Sequence, residues 1–279
     1  MNRNTFISKI DDFNDCMIND EKSKRTIKKY NHAYDVFLEI IKSEEINKHQ
    51  IIDFKNKIIE MNLKPSTTNS YIQAINKLLR FSGCAEMCVK KIKVQHSATI
   101  TDVVTVSDYK RLKRMASRMG YEDTAMCIEV LAKTGIRFEE LKYFTNEAVN
   151  SKEYVINVYN KGKNREIFLR KDLRRSLRKY CKTQHIDKYL FYGPNDKSKP
   201  ILYVTLNKRL KAIAGQARIK KEKVHPHAFR HLFAINYLEN GGNLANLADI
   251  LGHSDLRTTQ VYTRMTKDQT RKKLEGMKW

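Results

Sequence analysis

Residues Leu247–Met265 read LADILGHSDLRTTQVYTRM. Leu244, Leu247 and Leu251 recur at helical spacing and predict one buried helix face. Gly252 follows as the natural stop, because a helix C-terminus commonly turns through positive φ, which glycine adopts without penalty. Ser254 or Asp255 stands where a side chain would cap the next helix. His253 therefore falls at a helix-to-helix corner, and Tyr262 lies nine residues further on, along the following helix.

Working outward, Val224–Ala234 reads VHPHAFRHLFA, and His227 and Arg230, three apart, share a helix face. Thr134–Leu141 reads TGIRFEEL, which places Arg137 and Glu140 three apart after a glycine turn. Between these segments comes the β signal. Tyr154–Val158 is rich in strand formers, and Glu166–Leu169 repeats that character. The intervening Asn160–Asn164, NKGKN, predicts a hairpin tip carrying Lys161 and Lys163. Helical spacing marks Leu112, Met115, Met119, Ile128 and Leu131, and returns from about Val204. This part of the chain is predicted to be mainly α with a small antiparallel sheet. Its tail, Thr263–Trp279, carries Leu274, Met277 and Trp279 and reads as a helix that packs on its own domain or on a neighbouring protomer.

The first 95 or so residues are helical throughout. Ile27, Tyr30, Tyr34, Phe37, Leu38 and Ile41 form one periodic set, and Ile51, Phe54, Ile58 and Met61 a second. Tyr71, Ile75, Leu78 and Leu79 form a third, entered through Pro65 and Ser66. Lysines fill the positions between them, so a small basic bundle is expected. Lys90–Thr105 is polar, basic and aperiodic, which predicts a linker; Lys90, Lys91 and Lys93 are candidates to meet a phosphate backbone.

Charge narrows the partner. The 279 residues include 54 Lys+Arg against 31 Asp+Glu, a net +23. Such an excess repels itself unless an anionic partner offsets it, and nucleic acid fits best. The cysteines, Cys16, Cys84, Cys88, Cys127 and Cys181, are odd in number and widely spaced. A reducing cytoplasm is expected. No apolar run is long enough for a membrane span, and the start lacks an apolar signal core. Cys84 and Cys88 have no second pair to complete a metal site. His227 and His231 are four apart, as in zinc helices, but Ala228 replaces the needed glutamate and no third ligand is evident, so His231 is read as structural. Neither a nucleotide-binding G-x-x-x-x-G-K-[ST] loop nor an acidic metal triad is found, and no cofactor is expected.

The boxes Thr134–Leu141, His227–Arg230 and Leu251–Tyr262, in that order with a lysine hairpin between the first two, resemble the tyrosine recombinase (phage integrase) family. The resemblance covers about residues 105–265. It implies an N-terminal helical core-binding (SAM-like) DNA-binding domain at 1–95, a linker at 96–105, and a catalytic domain at 106–279. That domain should be α-rich with a small antiparallel three-stranded sheet. The resemblance also implies the site. Tyr262 is the nucleophile. Arg137 and Arg230 hold the phosphate oxygens with fork-shaped donors. Lys161 is the general acid to the 5′ oxygen, His253 aids the transition state, His227 assists, and Glu140 orients its neighbours. Lys161 is preferred to Lys163 because it precedes Gly162, although Asn160 stands where the family has a first glycine.

The implied activity is site-specific recombination through a 3′-phosphotyrosine, by a homotetramer on two duplexes, with a monomer expected in free solution. No additional arm-binding domain is visible, which suggests a compact Xer-type resolvase or mobile-element integrase. A type IB topoisomerase, which relaxes one duplex with the same chemistry, is the first alternative. A DNA-binding protein without catalysis is the second, and the complete residue set argues against it. The charge makes one prediction. With about 6–10 phosphate contacts, affinity for duplex DNA should fall by roughly 10³–10⁵ between about 50 and 200 mM salt, as a binding titration would show.

Overall fold

The computed structural model describes residues 1–93, 103–160, 163–253, 255–263 and 274–277. The chain divides into two compact units, Met1–His96 and Ser97–Trp279. Of the predicted linker, residues 96–102 lie outside the described residues. At its end, Thr105 caps the helix that follows.

The first unit contains four helices: α1 (Arg3–Asn19), α2 (Lys24–Ile40), α3 (Lys48–Glu60) and α4 (Pro65–Phe81). Each starts where its sequence favours a start. Asn2, Ser23 and Asn47 accept backbone N–H groups of the first turns, and Pro65 opens α4, where its missing N–H costs nothing. The periodic apolar residues meet in one core. Phe37 stands between Phe6 and Phe54, with ring centroids 4.9 and 5.0 Å apart, and Ile51, Ile58, Ile72, Ile75 and Leu78 close around them. Met61 departs from the predicted apolar face. It follows Glu60 at the end of α3, where the helical face has run out, and it is exposed.

In the second unit α5 (Val106–Arg118) opens with a reciprocal cap between Thr105 and Asp108. It packs on α6 (Glu122–Thr134), which is buried nearly all round and forms the centre of the domain. Gly135 ends α6 at φ +65°. A 3₁₀ turn, Phe138–Tyr143, and the short helix α7 (Asn146–Asn150) lead to the hairpin of β1 (Val155–Asn160) and β2 (Lys163–Phe168). The strands pair antiparallel from Val155–Phe168 to Asn160–Lys163, so Asn160, Lys163 and Asn164 of the expected five-residue tip are strand residues, and residues 161 and 162 lie outside the described residues. Ile156, Val158 and Ile167 face the core.

After β2 the chain enters α8 (Lys171–Thr183), a helix that the sequence reading missed although Leu173, Leu177, Tyr180 and Cys181 mark its buried face. Then come a second hairpin, β3 (Tyr192–Gly193) with β4 (Asp196–Pro200), and the helices α9 (Tyr203–Gln216), α10 (Pro226–Glu239), α11 (Leu244–Leu251) and α12 (Arg257–Gln260). The expected three-stranded sheet is corrected. Among the described residues there are two separate two-stranded sheets. Only Leu169 and Arg170 separate β2 from α8, and β3–β4 pairs with itself, so no third strand joins the first hairpin. None of the described helices is long and apolar enough to cross a membrane. Of the tail, residues 264–273 and 278–279, Trp279 included, lie outside the described residues; Leu274 and Met277 are exposed.

Gly135 places α6, α10 and α11 together. A Cβ at this position would collide with the Phe233 ring of α10 and lie 2.9 Å from Leu251 Cδ2 of α11. Gly135→Ala combines a left-handed backbone with overpacking and should cost about 2–4 kcal/mol. A thermal melt should register this as a fall in Tm of roughly 5–10 °C.

Candidate active site

The site is built at the C-terminal end of α11. Gly252 turns the chain there at φ +64°, and its N–H and that of His253 bond back to the carbonyls of Asp249 and Ala248. The last carbonyls of the helix remain as acceptors at the negative end of its dipole. Three arginines from three different elements reach them. Arg165 of β2 donates from Nη1 to Ile250 O. Arg230 of α10 donates from Nη2 to Leu251 O at 2.7 Å. Arg137, at the mouth of the 3₁₀ turn, donates from Nη2 to Gly252 O at 3.1 Å. Arg137 and Arg230, far apart in sequence, therefore converge on adjacent carbonyls.

Arg230 is fully buried. Its Nη1 donates to Gly135 O at 2.7 Å, so the turn at Gly135 also anchors it. Its Nε is buried and has no hydrogen-bond partner among the described residues. Burial, and then the nearby Arg137 charge, bring its pKa down to about 10, which still leaves it charged at neutral pH. An Nε–H aimed at no acceptor inside a protein is costly, and an anion would satisfy it.

Glu140 is the single buried carboxylate of the cluster. Its Oε2 accepts the Arg137 backbone N–H at 2.7 Å and Oε1 accepts Arg137 Nη1 at 3.4 Å. Arg165 meets the same carboxylate from the other side through Nε, at 3.3 Å from Oε1, and through Nη2. Burial alone would raise its pKa. The Arg165 hydrogen bond and charge, with the Arg137 N–H, outweigh burial and hold the carboxyl below its usual range.

His253 sits at the predicted corner. Its Nε2 is 2.8 Å from Arg230 Nη2 and its Nδ1 is 2.8 Å from Thr259 Oγ1. A guanidinium can only donate, so Nε2 accepts and the imidazole proton is on Nδ1, donating to Thr259. Burial, then the Arg230 and Arg137 charges, push the His253 pKa down to about 4, in keeping with a neutral ring. The segment after the corner departs from expectation. Leu256, rather than Ser254 or Asp255, occupies the cap position of α12, without a side-chain cap bond. Ser254 lies outside the described residues. Tyr262 falls on a 3₁₀ turn, Val261–Thr263, directly after α12. It is buried, stacked on His253 with ring centroids 6.2 Å apart, and meets the His231 ring edge-on at 5.0 Å.

His227 is exposed. Partial desolvation, and then the Arg230 charge, lower its pKa. Its ring is 5.0 Å from that of His231, which burial brings down to about 4. No group of acidic, cysteine or histidine side chains among the described residues is arranged to hold a metal.

The structure thus gathers Arg137, Glu140, His227, Arg230, His253 and Tyr262. Lys161 lies outside the described residues, and Lys163 is described only as backbone, at the start of β2. Lys90 and Lys93 are exposed in the first unit, where Lys91 Nζ donates to Gln73 Oε1 at 2.8 Å. Two participants escaped the sequence reading. Thr259 stands inside the Leu251–Tyr262 box, where it was given no role. Arg165 did carry a signal. It shares its strand face with Ile167, opposite Val158, and a charged residue at a core-facing position requires a buried partner of opposite sign.

Comparison with known proteins places the chain in a family. The phage integrase family model matches residues 102–269. Tyrosine recombinase XerD of Staphylococcus saprophyticus is 30% identical over 268 residues, covering 89% of this chain and 88% of that protein. Tyrosine recombinase XerA of Pyrococcus furiosus is 28% identical over 258 residues, covering 91% and 88%. Among solved structures, a XerA recombinase is matched at 25% identity with a TM-score of 0.53, covering 99% of both chains. A lambda integrase dimer bound to a core site is matched in fold at 14% identity with a TM-score of 0.75, covering 98% of this chain and 78% of that one. The chain therefore belongs to the phage integrase family and is a tyrosine site-specific DNA recombinase.

Proposed function

We propose that Tyr262 attacks a scissile DNA phosphate held by Arg137 and Arg230, and that four copies of the chain act on two duplexes. The observation that carries this reading is the pair of guanidiniums on adjacent carbonyls, with the partnerless Arg230 Nε beside His253 and Tyr262. A non-bridging phosphate oxygen is the acceptor such an Nε needs. Clustered fork donors also stabilise the charge that builds on a pentacoordinate phosphorus.

The steps balance as two transesterifications. The Tyr262 oxygen bonds to phosphorus as its proton passes to His227, and the 5′ oxygen leaves with a proton from Lys161. The 5′-hydroxyl of a partner strand, giving its proton back to Lys161, then attacks the phosphotyrosine, and Tyr262 leaves as it regains the proton held by His227. Neutral His253 lies beside Arg230 and adds polar contact as the transition state forms. His227 is available for acid–base assistance, and Glu140 fixes Arg137. The basic helical unit at 1–95 grips DNA mostly through phosphates, with Lys90, Lys91, Lys93 and Lys163 as further backbone contacts. The similarity to XerD and XerA supports a Xer-type resolvase or a mobile-element integrase, acting in integration, excision or resolution.

Covalent trapping on a nicked suicide duplex tests the chemistry. Wild type should form a protein–DNA adduct. Tyr262→Phe should bind the duplex as tightly and form none, and an undiminished adduct would remove Tyr262 as nucleophile. Recombination of two-site plasmids, rather than relaxation of arbitrary ones, should be the main activity.

The neutral histidines predict an acid response. His231 and His253 have folded pKa values of about 4, below an unfolded value of about 6.5. Between those values the unfolded chain binds more protons, so stability should fall as the pH drops from about 6.5 toward 4. Glu140, with its pKa lowered, loses its contribution only below the ordinary carboxylate range of about 4.3. Melting curves across this window should show the decline, and His231→Gln should flatten it.

A further inference from the structure

We propose that Arg165 is a positioning residue for the cleavage reaction, clamping Glu140 against the α11 terminus so that the Arg137 fork faces the phosphate. The inference rests on the assignment of Arg137 to the scissile phosphate and adds a residue that makes no contact with substrate.

The geometry uses all three edges of the Arg165 guanidinium. Nε and Nη2 both bond the Glu140 carboxylate, while Nη1 bonds Ile250 O. The carboxylate in turn holds Arg137 twice, at its backbone N–H and at Nη1. The other end of the clamp is equally constrained. A Cβ on Gly252 would lie 2.7 Å from Arg165 Cδ and 3.2 Å from Nε, so the arginine lies flat against the glycine that turns the chain toward His253. Glu140 is fully buried and Arg165 is 12% exposed, so little water competes for these bonds. Without Arg165, Glu140 would be a buried anion tied to Arg137 alone. That pairing would draw the Arg137 guanidinium inward, away from an incoming phosphate. Lysine cannot replace this function, because a single ammonium does not present a planar fork to a carboxylate and a third donor to a carbonyl.

A second consequence concerns β2. Arg165 stands opposite Val158 in the β1–β2 pair. One side chain therefore connects β2 with both the Arg137 turn and the α11 corner.

The test is single-turnover cleavage of a suicide duplex at saturating protein, with DNA affinity and Tm measured alongside. Arg165→Lys is the principal variant because it keeps the charge. It should bind DNA within about twofold of wild type and cleave about 10- to 100-fold more slowly, the loss expected from a small misplacement of a catalytic group. Arg165→Met should cleave more slowly still. Val158→Ala, which trims the residue opposite without removing a donor, serves as the control for a loosened hairpin. At a matched loss of Tm it should cleave much faster than the Arg165 variants. Glu140→Gln combined with Arg165→Met should lose less than the product of the two single effects, because the orphaned charge disappears with its partner. Cleavage at wild-type rate by Arg165→Lys, or a loss equal to that of Val158→Ala at equal Tm, would overturn the proposal. If Tyr262→Phe also formed an adduct, the fault would lie in the assignment of the reaction rather than in the role of Arg165.

Discussion

Three successive carbonyls, those of Ile250, Leu251 and Gly252, each take one N–H from a different arginine. The remainder of the site depends on this arrangement. Three guanidiniums crowded together repel one another, and among the described residues Glu140 is the buried carboxylate bonded to two of them. The exposed end of α11 supplies the missing negative potential without adding a full charge. It also fixes direction, since a carbonyl accepts along its lone pairs and each arginine must approach accordingly. Bonds of this charge-assisted kind contribute about 1.5–3 kcal/mol each, enough to hold a positive cluster that remains short of anions. That deficit is what the proposed phosphate would fill.

The glycines matter because they let those carbonyls and arginines meet. Gly135 turns α6 so that its own carbonyl accepts from Arg230, and Gly252 lets Arg165 lie flat beneath the corner. Neither position has space for a methyl group. The framework is thus specified less by the arginines, which are long and adaptable, than by two small residues that fix where the backbone goes.

Much of this was legible in the sequence. The stop at Gly252, the corner at His253, and the pairing of Arg137 with Glu140 and of His227 with Arg230 all follow from spacing and turn chemistry, which act locally. The apolar faces of α2, α3, α4 and α11 follow from periodicity. What escaped was non-local. Arg165 is an ordinary charged residue on a strand until the fold carries it to Glu140, 25 residues away, and to Ile250, 85 residues away. Helix α8 was lost because its many basic residues masked a correct apolar stripe. The cap of α12 failed because a turn through Leu256, rather than a polar side chain, begins that short helix. The sheet was overcounted because a hairpin reveals its own two strands but not whether another pair will join it.

Every strong bond of the cationic cluster ends at or before the corner. Beyond Gly252, the chain is held by a histidine–threonine hydrogen bond, by the packing of Tyr262 against two imidazoles, and by the apolar cluster that Tyr262 shares with Ala234, Leu247 and Leu251. The guanidinium cluster thus rests on hydrogen bonds to backbone, whereas the chain that carries the Tyr262 phenol rests mainly on packing. Under the proposed reaction, substitutions in the apolar cluster around Tyr262 would change how the phenol is seated while leaving the bonds that orient the guanidiniums in place.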